Sequence, residues 1–146
     1  MILEEVGVQV EAFPLNHGID SFGFIFRETA PCVLHKEPYK PRSFAYCSDT
    51  APLPELAEWV KGVDLLYHEG TYLNVDFRKA QARFHSTVHD AACCAASAGV
   101  GRLLLGHYSS SISSDDIKGD YIAQAREVFP NSFAVADGDI FDIPVL

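Results

Sequence analysis

The sequence predicts an α/β fold, a mixed sheet with helices packed on it. Short apolar runs at Phe44–Cys47, Leu65–Tyr67, Leu103–Leu105 and Phe133–Ala136 lack strict polar alternation, as strands buried on both faces do. Helical stretches at Pro54–Lys61, Val88–Ala98 and Tyr121–Phe129 fall between them. Strand–helix alternation of this kind implies a layered α/β sheet. A length of 146 residues with 48% hydrophobic content fits one domain, or half of a larger one, with a core of its own.

Taken in order, Val8, Val10 and Ala12 alternate with Gln9 and Glu11, and Phe22 to Phe26 is a second run closed by Arg27 and Glu28. Between these two strands lies a turn-rich segment holding His17. Residues 28–43 carry three prolines and the basic residues Lys36, Lys40 and Arg42, and read as a connection across a surface. Thr87 to Asp90 matches a helix capping box, an alanine-rich helix follows, and Gly99 stops it. The tail Asp139–Val145 reads as a last short strand.

Composition excludes several classes. With 11 basic and 20 acidic residues the net charge is −9, which excludes nucleic-acid binding by bulk electrostatics alone. No apolar run reaches the roughly 18 residues of a membrane span, and the first residues lack the basic start of a secretory signal. Cys32, Cys47, Cys93 and Cys94 form no metal-binding C-x-x-C pair, and small core residues in a reducing cytoplasm is the expectation.

Three successive strands end in residues able to do chemistry: Ser48-Asp49-Thr50, His68-Glu69-Gly70-Thr71, and His107. Ligands of α/β sheets bind beyond the carboxyl ends of the strands, so these ends converge on one edge. Each residue also has an ordinary explanation. Asp49 or Thr50 can cap the helix beginning near Pro54, and a strand-end histidine can be structural. Together they form a candidate site of nitrogen and oxygen donors that suits zinc or manganese. His17, between Asn16 and Gly18, can approach the same metal. His85 and His89 stand four apart, but Ser86 replaces the glutamate of an H-E-x-x-H site and His85 precedes the helix cap. His35 is a lone loop histidine.

The series PLNHGIDSFGF, YCSDT, LLYHEGTY, FHSTVHDAA and LLLGHYSS, with a closing DGDIFDIP, resembles the C-terminal half of ribonuclease Z, the tRNA 3′-processing endonuclease of the metallo-β-lactamase superfamily. The likeness runs over nearly the whole chain. It implies half of an αβ/βα sandwich with helices on the outer face of a mixed sheet, residues 1–146 being a single C-terminal half. It also implies a dinuclear zinc site, with manganese or magnesium as alternatives, in which His17 holds one zinc, Asp49 bridges both and His107 holds the second. His85 of the H-S-T motif would protonate the leaving oxygen, and Glu69 would orient it, since a carboxylate favours the charged imidazole. His68, Ser48 and Thr50 would stand behind these groups. The implied partners are precursor tRNA and a second copy of the chain, in the cytoplasm and away from membranes.

The sequence departs from the resembled pattern in four places. The H-x-H-x-D-H motif, source of four more zinc ligands, is expected in a preceding half, so residues 1–146 alone should bind metal poorly and catalyse little. Residues 28–43 leave room only for a shortened tRNA-gripping arm. The arginine of S-x-R-Y is missing after Tyr108, and H-E-A-T reads H-E-G-T. A hydrolase of small esters, sulfates or cyclic phosphates, and an inactive dimerisation module, are the competing expectations.

Overall fold

A computed structural model describes residues 1–5, 7–29 and 40–143. The strands β1 (Leu3–Glu5), β2 (Val8–Leu15), β3 (Ser21–Glu28), β4 (Ser43–Cys47), β5 (Leu65–Glu69), β6 (Leu103–Gly106) and β7 (Ser132–Ala134) form one seven-stranded sheet in chain order. β1 to β4 pair antiparallel, and β4 to β7 pair parallel. The parallel half needs crossovers, and helices provide them. They are α1 (Leu56–Trp59), α2 (Phe77–Ala82) after a single tight turn, α3 (Val88–Ala98), α4 (Ser114–Asp116) and α5 (Ile122–Val128).

α3 is fixed by its sequence at both ends. Thr87 Oγ1 accepts from the Asp90 amide, the Asp90 carboxylate accepts from the Thr87 amide, and Gly99 turns out of the helix at φ +63°. Ala91, Ala92, Ala95 and Ala98 are buried, so the helix lies close on the sheet over Leu66, Leu103 and Leu105. α1 and α5 bury Leu56 and Ala125 in the same core.

The opposite sheet face carries no helix among the described residues. Register places Phe24, Tyr46 and Tyr67 in one row, because directly paired residues share a face. Tyr46 stacks on Tyr67 at 4.9 Å and Phe26 on Phe44 at 5.8 Å. Phe22 is 51% exposed and Tyr46 39%, so an aromatic wall faces outward.

Several sequence expectations need correction. The helix expected over Pro54–Lys61 is only Leu56–Trp59, because the chain leaves it at Val60 and turns through Gly62 at φ +66°. The expected strand Phe133–Ala136 is Ser132–Ala134. Of the tail Asp139–Val145, residues 139–143 form no strand. A turn precedes them instead, with Gly138 at φ +91° and the Ala136 amide bonded to the Asp139 carboxylate, and Ile140 is 89% exposed. β1 and α2 were not legible. Cys47 is buried, while Cys93 and Cys94 are half-buried thiols. Cys32, His35, Lys36 and most of the 28–43 connection lie outside the described residues. At its ends Arg42 pairs with Glu28, and Lys40 with Asp64.

Candidate metal centre

The centre lies beyond the carboxyl ends of β4, β5 and β6, and the β2–β3 turn reaches it. Its structural hub is Glu69, the last residue of β5, which has no exposed surface. Oε1 accepts from the Thr50 amide (3.0 Å), the Ser86 amide (3.1 Å) and His85 Nδ1 (2.8 Å). Oε2 accepts from the amide and the hydroxyl of Thr71, at 2.9 and 2.7 Å. Five donors occupy the lone pairs of this carboxylate, so Glu69 acts as a clamp and has no lone pair left for a metal. The clamp fixes the His85 ring, and leaves Nε2 as its free nitrogen.

Thr50 ties the remaining loops to the hub. Its hydroxyl accepts from the Asn16 amide at 3.1 Å, and its carbonyl accepts from Ser86 Oγ at 2.7 Å. The first bond holds the turn that presents His17. His17 Nδ1 donates to the Phe84 carbonyl at 2.9 Å, which turns Nε2 toward the centre as the nitrogen without a protein partner for its lone pair in the neutral ring. That atom lies 4.0 Å from Asp49 Oδ2. The other Asp49 oxygen, Oδ1, lies 3.4 Å from His107 Nδ1. Asp49 therefore turns one oxygen toward each of two histidines. It does not cap α1, whose first residues receive no side-chain cap.

Hydrogen accounting fixes His107 as well. The Thr71 hydroxyl spends its single hydrogen on Glu69, so His107 Nδ1, at 2.7 Å, must be the donor to Thr71 Oγ1. Nε2 of His107 is left free. The rings of His17, His85 and His107 form a row with centroids 5.1 and 5.3 Å apart, His85 in the middle. Donor atoms of His17, Asp49 and His85 lie within 4.8 Å of one another, as do those of Glu69, His85 and His107. Both Phe84 and His107 have positive φ, +56° and +59°, so backbone strain is concentrated here.

Sequence reasoning named His17, Asp49, Glu69, His85, His107 and Thr50, and the structure brings all of them together. Ser48 stands aside, its hydroxyl 3.5 Å from the Phe22 carbonyl. His68 points to the helix side, where it lines a cavity with Leu56, Cys94 and Ser97, and Nδ1 meets the Glu69 carbonyl. Burial pushes its pKa down and keeps the ring neutral. Burial first, then the charges of Tyr46 and Asp49, push the Tyr67 phenol up to about 12, so it holds its proton and does not rival His85 as an acid. Two roles had no sequence signal. Thr71 links Glu69, His85 and His107 through one hydroxyl, and Phe84 acts through its carbonyl, which no side-chain pattern signals.

The H-E-G-T spelling has a local cause. Tyr121 Oη donates to the Gly70 carbonyl at 2.7 Å, and a Cβ on Gly70 would overlap that same hydroxyl. Gly70→Ala is expected to cost about 1–3 kcal/mol through overpacking. Tyr121→Phe, which removes the obstructing oxygen, should recover part of that loss. Urea unfolding of the two single variants and the double variant checks this, and strict additivity would refute it.

The family described as the beta-lactamase superfamily domain matches residues 2–108. The chain belongs to this superfamily. Among curated proteins the superfamily member is 40% identical to ribonuclease Z of Phocaeicola vulgatus, over 90% of this chain and 54% of that protein. It is 30% identical to ribonuclease Z of Azobacteroides pseudotrichonymphae, over 98% of this chain and 56% of that protein. The chain thus spans about half the length of these relatives. Among solved structures, human tRNase Z, short form, superposes with TM-score 0.73 at 24% identity, covering 98% of this chain and 46% of that one. The Bacillus subtilis metallo-β-lactamase-fold protein YhfI gives 0.70 at 19% identity, covering 92% and 48%. These two likenesses establish the fold.

The superfamily implies bound metal, and the donors here fit it. Imidazole nitrogen and carboxylate oxygen are the borderline donors that zinc takes, and a carboxylate open on both oxygens suits two cations. His17 Nε2, the two Asp49 oxygens and His107 Nε2 fall short of the roughly four donors that each zinc takes, and Asp49 approaches His107 on its Nδ1 side, where the hydrogen goes to Thr71.

Proposed function

We propose that this chain is the C-terminal half of a zinc-dependent phosphodiesterase of the ribonuclease Z kind, which removes the 3′ trailer from precursor tRNA. The observation that carries the reading is Asp49 opening its two oxygens to two histidines, beside an imidazole clamped by a buried glutamate. The relatives named ribonuclease Z support the choice of substrate. In this reading His17, Asp49 and His107 hold two zinc ions, with further ligands from the remainder of the domain. Bound zinc supplies water activation and neutralises phosphate charge. His85 donates the Nε2 proton to the departing 3′ oxygen, and its Nδ1 bond to Glu69 keeps the ring aimed. Thr71 holds His107 in the orientation that frees Nε2. The complete protein works as a homodimer in the cytoplasm. No helix among the described residues is long and apolar enough to cross a membrane.

The test compares 3′-extended precursor tRNA with bis-p-nitrophenyl phosphate as substrates of the full-length protein. Strong preference for the RNA is expected, with His85→Ala losing RNA cleavage by about 100-fold or more while keeping its metal. Preference for the small ester would favour the small-substrate hydrolase. RNA cleavage by His85→Ala at the wild-type rate would remove the assigned proton donor.

A further inference from the structure

The stretch from Phe77 to His89 contains Arg78, Lys79 and Arg83 and no acidic residue, in a chain of net charge −9. It comprises α2, the loop that carries His85 and the first residues of α3. Only Ala80 of α2 is anchored in the interior, at 1% exposure, while Arg78, Lys79, Arg83 and both flanking phenylalanines face outward. Among the described residues no carboxylate pairs with these three cations, whereas Lys40, Arg42 and Lys61 each have an acidic partner. Two of them lie against aromatic rings instead: Lys79 Nζ is 5.0 Å above Tyr72, and the Arg78 guanidinium is 5.7 Å from the Phe77 ring. Ring contact leaves their charge available to an anion.

The place of this surface gives it meaning. Tyr72, under Lys79, meets the His85 ring edge-on at 6.0 Å. Phe84, 45% exposed, is held in a left-handed conformation by the turn whose carbonyl orients His17. Phe84 therefore stands at the rim of the centre. Unneutralised cations beside exposed rings suit a ligand with phosphates and flat bases in sequence, since phosphates take the charge and bases stack on the rings. An acidic protein also needs a local positive track to admit such a polyanion.

We propose that Arg78, Lys79 and Arg83, with Phe77 and Phe84, form an RNA-positioning platform that holds the substrate strand next to the scissile bond. This rests on the proposed phosphodiesterase reading and adds to it the surface over which the strand enters.

The test measures binding of a fluorescent acceptor-stem RNA with a 3′ tail to the full-length protein over a range of salt. The triple variant Arg78→Ala/Lys79→Ala/Arg83→Ala is compared with wild type, and Lys118→Ala, a surface cation outside this stretch, is the charge control. Each lost phosphate contact should lower the slope of log affinity against log salt by about 0.7 to 0.9, so the triple variant should lose about 2.1 to 2.7. Its Kd at physiological salt should rise roughly tenfold or more, with the circular dichroism spectrum unaltered. A slope and Kd equal to wild type, or no RNA binding by wild type, would overturn the platform. A lowered slope in a protein whose wild type never cleaves RNA would sustain the platform and overturn the phosphodiesterase reading.

Discussion

Replacing Glu69 by glutamine is expected to destabilise the fold by about 3–5 kcal/mol, the range for breaking a buried ionic cluster. The reason is geometric. Oε1 faces three donors and Oε2 faces two, so an amide NH2 in either orientation confronts at least two N–H or O–H groups. No rotation satisfies it, and the fully buried site has no water to accept the displaced bonds. Because Thr50, Thr71 and Ser86 belong to three different connections, losing the clamp should loosen all three together. Urea unfolding followed by fluorescence of Trp59 measures the effect. A loss below about 1 kcal/mol, the worth of one ordinary hydrogen bond, would mean that the glutamate does not organise this end of the sheet.

Asp49→Asn should do the reverse. Asp49 is one-third exposed, and its contacts are two imidazoles at 4.0 and 3.4 Å. Stability should change by no more than about 0.5 kcal/mol, as for a surface substitution. Metal binding should fall sharply, because a neutral amide with one good acceptor cannot serve two cations. Even indirect partners of metal sites cost about 10- to 100-fold in affinity, so at least about 100-fold is expected for a ligand shared by both ions. Zinc content of the full-length protein after dialysis gives the answer. Full retention of zinc would show that Asp49 is not a ligand. Two neighbouring carboxylates thus separate cleanly, one affecting the fold and the other the metal.

What could be read from the sequence follows from how local its cause is. The capping box at Thr87 and Asp90 and the Gly99 stop are written within a few residues, and the structure has them in place. The convergence of Asp49, Glu69 and His107 was legible because parallel strands all end at the same edge. The role of Thr71 was not, since a threonine after a strand looks the same whether or not histidines lie over it. That of Phe84 could not be, because the working atom is a carbonyl oxygen shared by every residue type. α2 escaped notice because Phe77–Ala82 has one buried residue and so no apolar period. β1 exists only through pairing with β2. The tail was misread as a strand because Ile140 and Phe141 look like core residues, although Ile140 stands in the open after the Gly138 turn.

The sheet's chain-order arrangement has a consequence for how the molecule is made. Every strand pairs with the one synthesised just before it, so no segment waits for a distant partner and none has to thread back between finished neighbours. Contacts this near in sequence close small loops, whose entropy cost is low and whose formation is fast. Within this segment the sheet can grow one strand at a time on a ribosome, each strand adding to the one before it. The residues of the centre emerge in the same sequence, His17 first and His107 last. Asp49 and Glu69, at the ends of neighbouring strands, therefore emerge before His85 and His107. The Glu69 clamp can close only once His85 has emerged, and His107 follows as the last residue of the centre.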